Sequence, residues 1–359
     1  MLNMLRANRK VNLKSRTATT SIGVAAATIL LAACGSASAS TASSPSTSSS
    51  TPLYLWSSEG YDSSVCTAFQ KATGIVCKLS DNSTGPTLAK IQATKNNPTW
   101  GVAWTDGNAA YAALDQQGML LKNFQPNTGT LNALGQKLVP ADQSYIITGV
   151  TTTGAFVYDS SKVPNPPTTW QELLQPQWKG KFGMNNPTID GPSYPILAGL
   201  FDSLGGVSQG EAFMSQLKAN GMVVSQNSIM DDMTAGKVEI AIGQNTSGIG
   251  RAQTNHNIKV IYPSPSPALP SVLAIDGKAS AGEIKDAKAF ANFVYSPAGQ
   301  KAMLAGDPTG DSQFFPVVNG TQAEAQVPAE SSINFYFFDP YKWGSLESSV
   351  NTWFSSNIA

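Results

Sequence analysis

The sequence predicts an α/β protein of two lobes, and three observations lead to this prediction. Strand-like and helix-like segments alternate along 53–118 and again along 182–242, as in mostly parallel sheets flanked by helices. The chain has 359 residues, whereas a single hydrophobic core stops growing at about 250–300 residues. A proline-rich segment over 263–270 suits neither a helix nor a central strand, and we expect it to cross between the lobes.

The first 51 residues predict an export signal and a tether. Residues 1–16 are basic, and an apolar run over 22–33 ends directly before Cys34. This run is too short to span a bilayer, which takes about 20 residues. It resembles the bacterial lipoprotein signal, which implies that 1–33 are removed and that Cys34 is lipidated. An ordinary secretory signal is the alternative. The Ser- and Thr-rich residues 34–51 predict a flexible tether.

The first alternation predicts three strands and three helices. The strands cover 53–56, 75–79 and 101–104, where apolar residues run together or alternate. The helices cover 66–72, 86–95 and 108–118. The second helix begins at Pro86, which suits a first helical turn, and the third ends at Gly118, which suits a helix C-terminus.

The second alternation predicts another lobe of the same kind. Its strands cover 182–184, 222–224 and 238–242, and its helices cover 193–204, 210–219 and 229–235. After the proline-rich segment, 281–295 has the apolar spacing of an amphipathic helix. We assign 52–149 and 265–308 to lobe 1, and 150–264 and 309–359 to lobe 2.

Two cysteines remain in the body of the chain, Cys66 and Cys77. An exported protein meets an oxidising compartment, so this pair favours a disulfide that closes a short loop. Metal ligation is a weaker alternative, because two thiols without a nearby histidine are too few ligands. Two buried free thiols remain a further alternative.

Charge excludes some functions. Five of the 23 basic residues lie before residue 34, which leaves 18 against 23 acidic residues. Arg251 is then the only arginine, and His256 is the only histidine of the chain. A nucleic-acid-binding protein needs clustered Lys and Arg, and these are lacking. No G-x-S-x-G or H-E-x-x-H motif occurs, so we predict no enzyme, and a secreted hydrolase is a remote alternative.

The sequence resembles one protein family over essentially all of 52–330, and four segments in the family's own order carry the resemblance. They are LYLWSSEGYDSSVCTAFQKATGI (53–75), GMLLKNF (118–124), PTTWQELLQPQWKGKFGMNNPTIDGPSY (167–194) and DAKAFANFVYSPAGQKAML (286–304). The third is the most specific. The segments are similar to those of bacterial solute-binding proteins of ABC importers, in the branch that includes ferric-iron, phosphonate and thiamine binders.

The resemblance implies a fold, a function and a location. The fold is the type II periplasmic-binding-protein fold, in which two α/β lobes joined by hinge strands close on a ligand. The function is that of an extracytoplasmic receptor, lipid-anchored in the periplasm or on the cell surface, which captures a small polar solute and delivers it to a membrane permease. We expect a monomer with no cofactor and no metal. A ligand-sensing lipoprotein without transport is an alternative.

The candidate ligand residues lie in six loops that follow predicted strands. Ligands of open α/β sheets bind beyond the carboxyl ends of strands, where helix N-termini present free N–H groups. Small hydroxyl and amide residues also serve as plain helix caps, which is the alternative for each loop. The candidates are Ser57, Ser58, Glu59, Ser83, Thr84, Thr105, Asp106, Asn108, Thr188, Asp190, Ser193, Tyr194, Asn227, Gln244, Asn245 and Arg251.

Three ligand classes remain open, and an oxyanion or phosphonate is favoured. Hydroxyls, amides and helix N-termini suit an oxyanion, Arg251 could grip two of its oxygens, and acidic residues suit an ammonium at its other end. Ferric iron as a bare ion is disfavoured, because the tandem tyrosines of the family's iron binders are replaced by 243–247, GQNTS; an iron chelate stays open. A polyamine or thiamine is the third class, since Trp56 and Trp104 end neighbouring strands and could stack on a cation.

Overall fold

The structure, a computed structural model, describes residues 51–359. The predicted signal peptide, the lipidation site Cys34 and all but the last residue of the predicted tether lie outside these residues. The described residues belong to a single compact unit, which contains two sheets, each with its own apolar core.

Twelve strands and eleven α-helices alternate along the described residues. The strands are β1 Leu53–Ser57, β2 Cys77–Asp81, β3 Val102–Asp106, β4 Ile146–Thr152, β5 Ala155–Asp159, β6 Phe182–Asn185, β7 Val223–Ser225, β8 Ile240–Gly243, β9 Ile258–Ile261, β10 Ser266–Ile275, β11 Phe315–Pro316 and β12 Phe335–Tyr336. The helices are α1 Asp62–Thr73, α2 Thr84–Ala93, α3 Asn108–Gln116, α4 Ala133–Gln136, α5 Ser193–Ser203, α6 Val207–Ala219, α7 Ile229–Thr234, α8 Asn245–Thr254, α9 Ala281–Tyr295, α10 Pro297–Gly306 and α11 Pro340–Asn357.

The first sheet defines lobe 1, in the order β11-β4-β10-β3-β1-β2, with β12 paired to β10. Strand β1 pairs in parallel with β2 and β3, whereas β10 is antiparallel to both β3 and β4. The second sheet defines lobe 2, in the order β7-β6-β8-β5-β9. There β6 is parallel to β7 and β8, and β5 is antiparallel to β8 and β9.

Both sheets are therefore mixed, whereas the sequence predicted mostly parallel sheets. The antiparallel strands include the four that carry the chain across the hinge, namely β4, β5, β9 and β10. A strand that leads from one lobe to the other is antiparallel to the neighbouring strand of the βαβ units, as β10 is to β3 and β5 is to β8. The α/β class and the two-lobed architecture agree with the prediction.

The proline-rich segment departs from its prediction, because most of it is strand. Residues 266–270 begin β10, which lies in the middle of the lobe 1 sheet. Pro267 and Pro270 lie before Ser271, where pairing with β3 begins. A proline lacks only the donor, and both carbonyls still accept hydrogen bonds, that of Pro267 from Thr153 N at 3.1 Å and that of Pro270 from Gly107 N at 2.8 Å.

The lobes are joined at Thr153–Gly154, between β4 and β5, and at residues 262–265, between β9 and β10. The bond from Thr153 N to the Pro267 carbonyl ties these two crossings together. Asn245, the first residue of α8, accepts a hydrogen bond from Thr152 N at 2.9 Å through its side-chain oxygen. The hinge is thus tied directly to the helix that follows β8.

A third crossing follows β12 and changes the predicted division of the chain. The sequence assigned 309–359 to lobe 2, but β11 pairs with β4 in the lobe 1 sheet, and Phe315 and Ile333 are buried in the lobe 1 core. Only α11 joins the lobe 2 core, through Trp343, Val350 and Phe354. The short strand β11 forms backbone hydrogen bonds by pairing at one edge of the lobe 1 sheet. The sequence pattern does not reveal which sheet edge such a strand will join.

Several local predictions are confirmed. Helix α9 occupies 281–295 as its apolar spacing indicated, and Ser280 and Glu283 form a reciprocal capping box at its N-terminus. Cys66 of α1 and Cys77 of β2 are joined by a disulfide, with their Cα atoms 5.7 Å apart. Within residues 51–359, none of the helices is both long and apolar enough for a membrane span.

Candidate functional site

A cavity of about 140 Å³ lies between the lobes, and we call it the interlobe cavity. Its walls come from the starts of α2 and α3 in lobe 1, from the loop after β6 with the start of α5 in lobe 2, and from α11. The lining residues are Thr84, Gly85, Leu88, Asp106, Gly107, Ala109, Ala110, Pro187, Thr188, Ile189, Asp190, Gly191, Tyr194, Pro195, Glu347 and Asn351.

The lobes touch each other at the rim of this cavity. The Cα of Gly191 in lobe 2 lies so close to Thr84 in lobe 1 that an added Cβ would stand 2.4 Å from the threonine Cβ. On lobe 1, the Ser58 and Thr84 hydroxyls are hydrogen-bonded at 2.9 Å. A contact this tight across the cleft means that the structure shows the closed arrangement of the two lobes.

The lobe 2 wall is ordered by short-range hydrogen bonds. Thr188 donates to Asn186 Oδ1 from its backbone N at 3.0 Å and from its hydroxyl at 2.8 Å. The Ser193 hydroxyl donates to Asp190 Oδ2 at the start of α5. Burial raises the pKa of Asp190, although its hydrogen bonds to Ser193 and Asn185 oppose that shift. The wall therefore presents the Asp190 carboxyl and the Thr188 hydroxyl, each held by a hydrogen bond to a neighbouring side chain.

Glu59, Asp106 and Asp311 form a group of carboxyls next to the cavity, which we call the acid cluster; Glu59 is buried and the other two are partly buried. Burial, together with the charge of Asp311, raises the pKa of Glu59 to about 8. Burial and the charge of Glu59 hold the pKa of Asp106 well above its ordinary value. Burial also raises the pKa of Asp311 to about 6. Because like charges repel, each of these three neighbouring carboxyls disfavours the ionised form of the others.

Hydroxyls and amides, and no basic groups, satisfy the acid cluster. Ser271 donates to Glu59 Oε1 at 2.7 Å, and Gln244 of lobe 2 donates to Asp106 Oδ2 at 3.2 Å. Gly60 N donates to Asp311 Oδ2 at 2.8 Å. Every ion pair among residues 51–359 lies elsewhere. The cluster therefore lacks a basic partner, and a cationic group in the cleft would favour the ionised form of its carboxyls.

Five of the residues predicted from the sequence line the cavity, and three more lie directly behind it. The lining residues are Thr84, Asp106, Thr188, Asp190 and Tyr194. Ser58 holds Thr84, Glu59 belongs to the acid cluster, and Gln244 bonds Asp106 across the cleft.

Five predicted residues are buried inside a lobe with local partners. Ser57 accepts a hydrogen bond from Glu59 N at 3.2 Å, and Thr105 donates to the Tyr111 hydroxyl at 3.2 Å. Asn108 lies beside the Tyr145 hydroxyl. Ser193 bonds Asp190, and Asn245 bonds the hinge. These residues hold the cleft loops in place rather than face the cavity.

Ser83, Asn227 and Arg251 lie outside the cavity. Ser83 and Asn227 are exposed. Arg251, predicted to reach the ligand, instead points along the outside of lobe 2, where its Nη2 donates to Asp231 Oδ1 at 2.7 Å. Arg251 is the seventh residue of α8, so the rise of about 1.5 Å per residue places it about 9 Å along the helix axis from the end that begins at the cleft. No arginine of residues 51–359 lines the interlobe cavity.

The two tryptophans proposed for cation stacking also lie outside the cavity. Trp104 is fully buried in lobe 1, and its Nε1 donates to Thr148 and Ser271 at 2.9 and 3.0 Å. Trp56 is buried too, with Lys90 Nζ 3.8 Å from its ring centroid. An aromatic side chain next to a strand end packs into the core when the sheet face is apolar.

Three polar residues at the cleft escaped the sequence analysis. Asp311 follows α10 and has no strand or motif before it, and Glu347 and Asn351 lie in α11. The only signal for α11 was a run of aromatic residues, which indicates packing and not a ligand site. Among residues 51–359, no group of three or more His, Cys, Asp or Glu residues is arranged to hold a metal ion.

Comparison with known families settles what kind of protein has this architecture. Residues 64–333 match the sequence profile of a family described as bacterial extracellular solute-binding protein. The chain belongs to this solute-binding family. Membership of an extracellular family places the chain on the extracytoplasmic side.

One curated relative of this solute-binding protein is a putative 2-aminoethylphosphonate-binding periplasmic protein of Salmonella typhimurium strain LT2. The two are 26% identical over 213 residues, which are 58% of this chain and 60% of the relative. The match thus spans less than two thirds of the relative's length.

Solved structures of periplasmic binding proteins share the fold. AfuA from Actinobacillus pleuropneumoniae, with fructose 6-phosphate bound, superposes with a TM-score of 0.74 at 16% identity, over 86% of this chain and 99% of that one. Iron-bound HitA from Pseudomonas aeruginosa gives 0.70 at 20% identity, over 84% and 98%. At such identities the likeness concerns the fold, which is the type II fold predicted from the sequence.

Proposed function

We propose that this protein is the extracytoplasmic receptor of an ABC importer and that its ligand is a small zwitterion with an amine and a phosphonate group, such as 2-aminoethylphosphonate. One observation carries the ligand class: the acid cluster beside the cavity has no basic partner within residues 51–359. A cation beside such carboxyls favours their ionised form and forms ion pairs with them. The ammonium of the ligand would supply that cation.

The phosphonate end has donors at the start of α2. Thr84 and Gly85, the first two residues of α2, line the cavity, and the side chain of Ser83 caps none of the N–H groups there. The N-terminus of a helix carries a partial positive charge and free N–H groups, which suit an oxyanion without any arginine. The resemblance to a putative 2-aminoethylphosphonate-binding protein supports the same ligand.

Capture would occur by closure of the lobes. Gln244 of lobe 2 already bonds Asp106 of lobe 1, and Gly191 meets Thr84. A ligand that touches both walls stabilises this closed state over the open one by its difference in affinity for the two. The closed receptor would then dock on a permease. Binding and release need no bond to break, so the function requires no catalysis.

The test is a calorimetric titration of the purified protein with 2-aminoethylphosphonate, ethylphosphonate, putrescine, thiamine, inorganic phosphate and ferric citrate. We expect 2-aminoethylphosphonate to bind at least tenfold more tightly than ethylphosphonate, which lacks the amine, or inorganic phosphate. A tenfold difference corresponds to about 1.4 kcal/mol. Tight binding of ferric citrate without binding of 2-aminoethylphosphonate would contradict the proposed ligand class and still support the receptor function. No binding of any compound in the panel would contradict both proposals.

Putrescine and thiamine represent the alternative of a purely cationic ligand. The acid cluster favours them as well, but the uncapped start of α2 does not. A ligand-sensing lipoprotein on the same fold is the alternative to transport. Loss of 2-aminoethylphosphonate uptake in cells without this protein separates the two, because a sensor would leave uptake intact when the importer is expressed independently.

The same proposal includes a lipid anchor at Cys34 and a monomeric receptor. Two or more acyl chains hold a protein stably at a membrane. We expect Cys34→Ala to leave the protein in the soluble fraction, while Cys66→Ala, which leaves Cys34 in place, remains with the membrane. Membrane retention of the Cys34→Ala protein would show that the signal is not a lipoprotein signal.

A further inference from the structure

The C-terminal helix α11 contacts both lobes across the cleft. On the lobe 1 side, the Tyr341 hydroxyl donates to Asp115 Oδ2 of α3 at 3.0 Å, and a Cβ added to Gly344 would stand 2.2 Å from the Ala109 carbonyl oxygen of α3. On the lobe 2 side, Trp343 Nε1 donates to Asp202 Oδ1 of α5 at 2.9 Å. Helix α11 therefore forms one side wall of the interlobe cavity.

Two polar side chains of α11 line that cavity. Glu347 and Asn351 are four residues apart, so they lie one turn apart on the same helix face. Glu347 also falls in the buried stripe of the helix, four residues after Trp343 and three before Val350. An apolar residue is usual at such a position, and a carboxylate there costs desolvation energy unless it has a partner.

Neither side chain has that partner within the described part of the chain. Glu347 makes no hydrogen bond and no ion pair, and burial raises its pKa to about 7. Asn351 Oδ1 is shielded from solvent and accepts no hydrogen bond. A half-buried carboxyl and a shielded amide oxygen that face one cavity without a protein partner point to a ligand group with several donors.

We propose that Glu347 and Asn351 are ligand-binding residues that accept hydrogen bonds from the ammonium of the bound amine. This inference rests on the proposed function and adds a third wall to its site. The ligand ammonium would then lie between α11 and the two carboxylates that line the cavity from the lobes, Asp106 and Asp190. Loading the site would also link α11 to both lobes through the ligand.

The test compares two ligands that differ only in the amine. Glu347→Gln keeps the shape of the side chain and removes its charge, so we expect its affinity for 2-aminoethylphosphonate to fall at least tenfold. Its affinity for ethylphosphonate should stay within twofold of the unchanged protein. Asn351→Ala should show the same selectivity with a smaller loss. Thr352→Ala, on the exposed face of α11, and Glu330→Gln, exposed elsewhere, are the matched controls.

Each outcome of the titrations supports or overturns the proposal. Equal losses for both ligands would show that Glu347 only positions α11, and an unchanged affinity for 2-aminoethylphosphonate would show that it has no role. If the unchanged protein binds putrescine or thiamine and not 2-aminoethylphosphonate, the same selective loss is expected for that amine. If it binds no amine, the inference is wrong, while binding of ethylphosphonate or inorganic phosphate would still support the receptor function.

Discussion

Glu59 shows how a single residue acquires a functional environment from distant parts of the chain. It follows β1, yet its partners come from β10 and from the loop after α10. Ser271 donates to it and also accepts a hydrogen bond from Tyr61 at 3.0 Å. Asp311 lies close enough to raise its pKa by charge. The hydroxyls keep the carboxyl satisfied, while the neighbouring acid disfavours its ionised form.

This environment predicts a pH-dependent stability for the ligand-free protein. The folded-state pKa of Glu59, about 8, lies above its ordinary value of 4.5. The protonated carboxyl therefore adds stability that is complete below pH 4.5 and is lost as the pH rises through 8, at about 1.4 kcal/mol for each unit of the shift. The groups that face it are Asp62, Asp106, Asp311, Tyr61 and Ser271.

We expect Glu59→Gln to reduce the fall in melting temperature between pH 5 and pH 8. The variant cannot ionise at this position, so it should gain most at the higher pH. Melting curves of the two proteins across this range measure the effect, with the exposed Glu330→Gln as the control. Parallel pH profiles for Glu59→Gln and the unchanged protein would show that Glu59 does not titrate in this range.

At the scale of elements, the strand ends and the helix starts determine which residues meet. Helices α2, α3 and α5 begin after β2, β3 and β6, and all three starts line the interlobe cavity. The opposite ends of the strands have a different role. Cys77 begins β2, and its disulfide to α1 fixes that helix against the sheet edge. The disulfide and the cavity thus lie at opposite ends of β2.

This separation predicts that the disulfide stabilises the fold without affecting the ligand. Residues 66 and 77 are 11 positions apart, and closing a loop of this size is worth about 3 kcal/mol through the unfolded chain. We expect the double variant Cys66→Ala, Cys77→Ala to lose about that much free energy of unfolding in urea. Its affinity for 2-aminoethylphosphonate should not change. A large loss of affinity would mean that the bond also holds the cleft.

At the scale of the whole molecule, closure depends on how closely the two lobes approach. Gly191 of lobe 2 leaves no room for a Cβ beside Thr84 of lobe 1. A second approach lies near the end of α8, where a Cβ on Gly250 would stand 1.7 Å from the Thr309 carbonyl oxygen. Both glycines permit a close backbone approach between the two lobes.

Gly191→Ala should therefore hold the lobes apart. Its added methyl collides with Thr84 only in the closed state, so the ligand-free melting temperature should stay within about 2 °C of the unchanged protein. We expect affinity for 2-aminoethylphosphonate to fall at least tenfold. The radius of gyration in solution scattering should decrease with ligand for the unchanged protein and not for the variant.

Gly282→Ala is the matched control for this substitution. Gly282 lies in the first turn of α9, and an added Cβ there meets no atom within 4 Å. This variant should bind and contract normally. If Gly191→Ala also binds and contracts normally, the contact with Thr84 does not limit closure.

Periodic segments were predictable, whereas contacts between distant segments were not. The apolar spacing of 281–295 gave α9 with its bounds, and the loops after β1, β2, β3 and β6 indicated the correct edge of each sheet. Arg251 looked suitable for a ligand because it follows a cleft loop, but the helix turns it towards Asp231. Residues 266–270 looked unsuitable for a central strand because of their prolines. The sequence does not show that β3 pairs with β10 only from Ser271 onwards, which leaves the positions of Pro267 and Pro270 unpaired on that side.

The sequence by itself determined the α/β class, the two lobes, the family and the candidate loops, because these depend on periodicity, composition and local motifs. Only the tertiary structure decided that Glu59, Asp106 and Asp311 share one region, and that α11 brings Glu347 and Asn351 to the same cavity as Asp190. These residues lie up to 292 positions apart in the chain. Their interactions arise from the folded arrangement of distant segments, which no local pattern encodes.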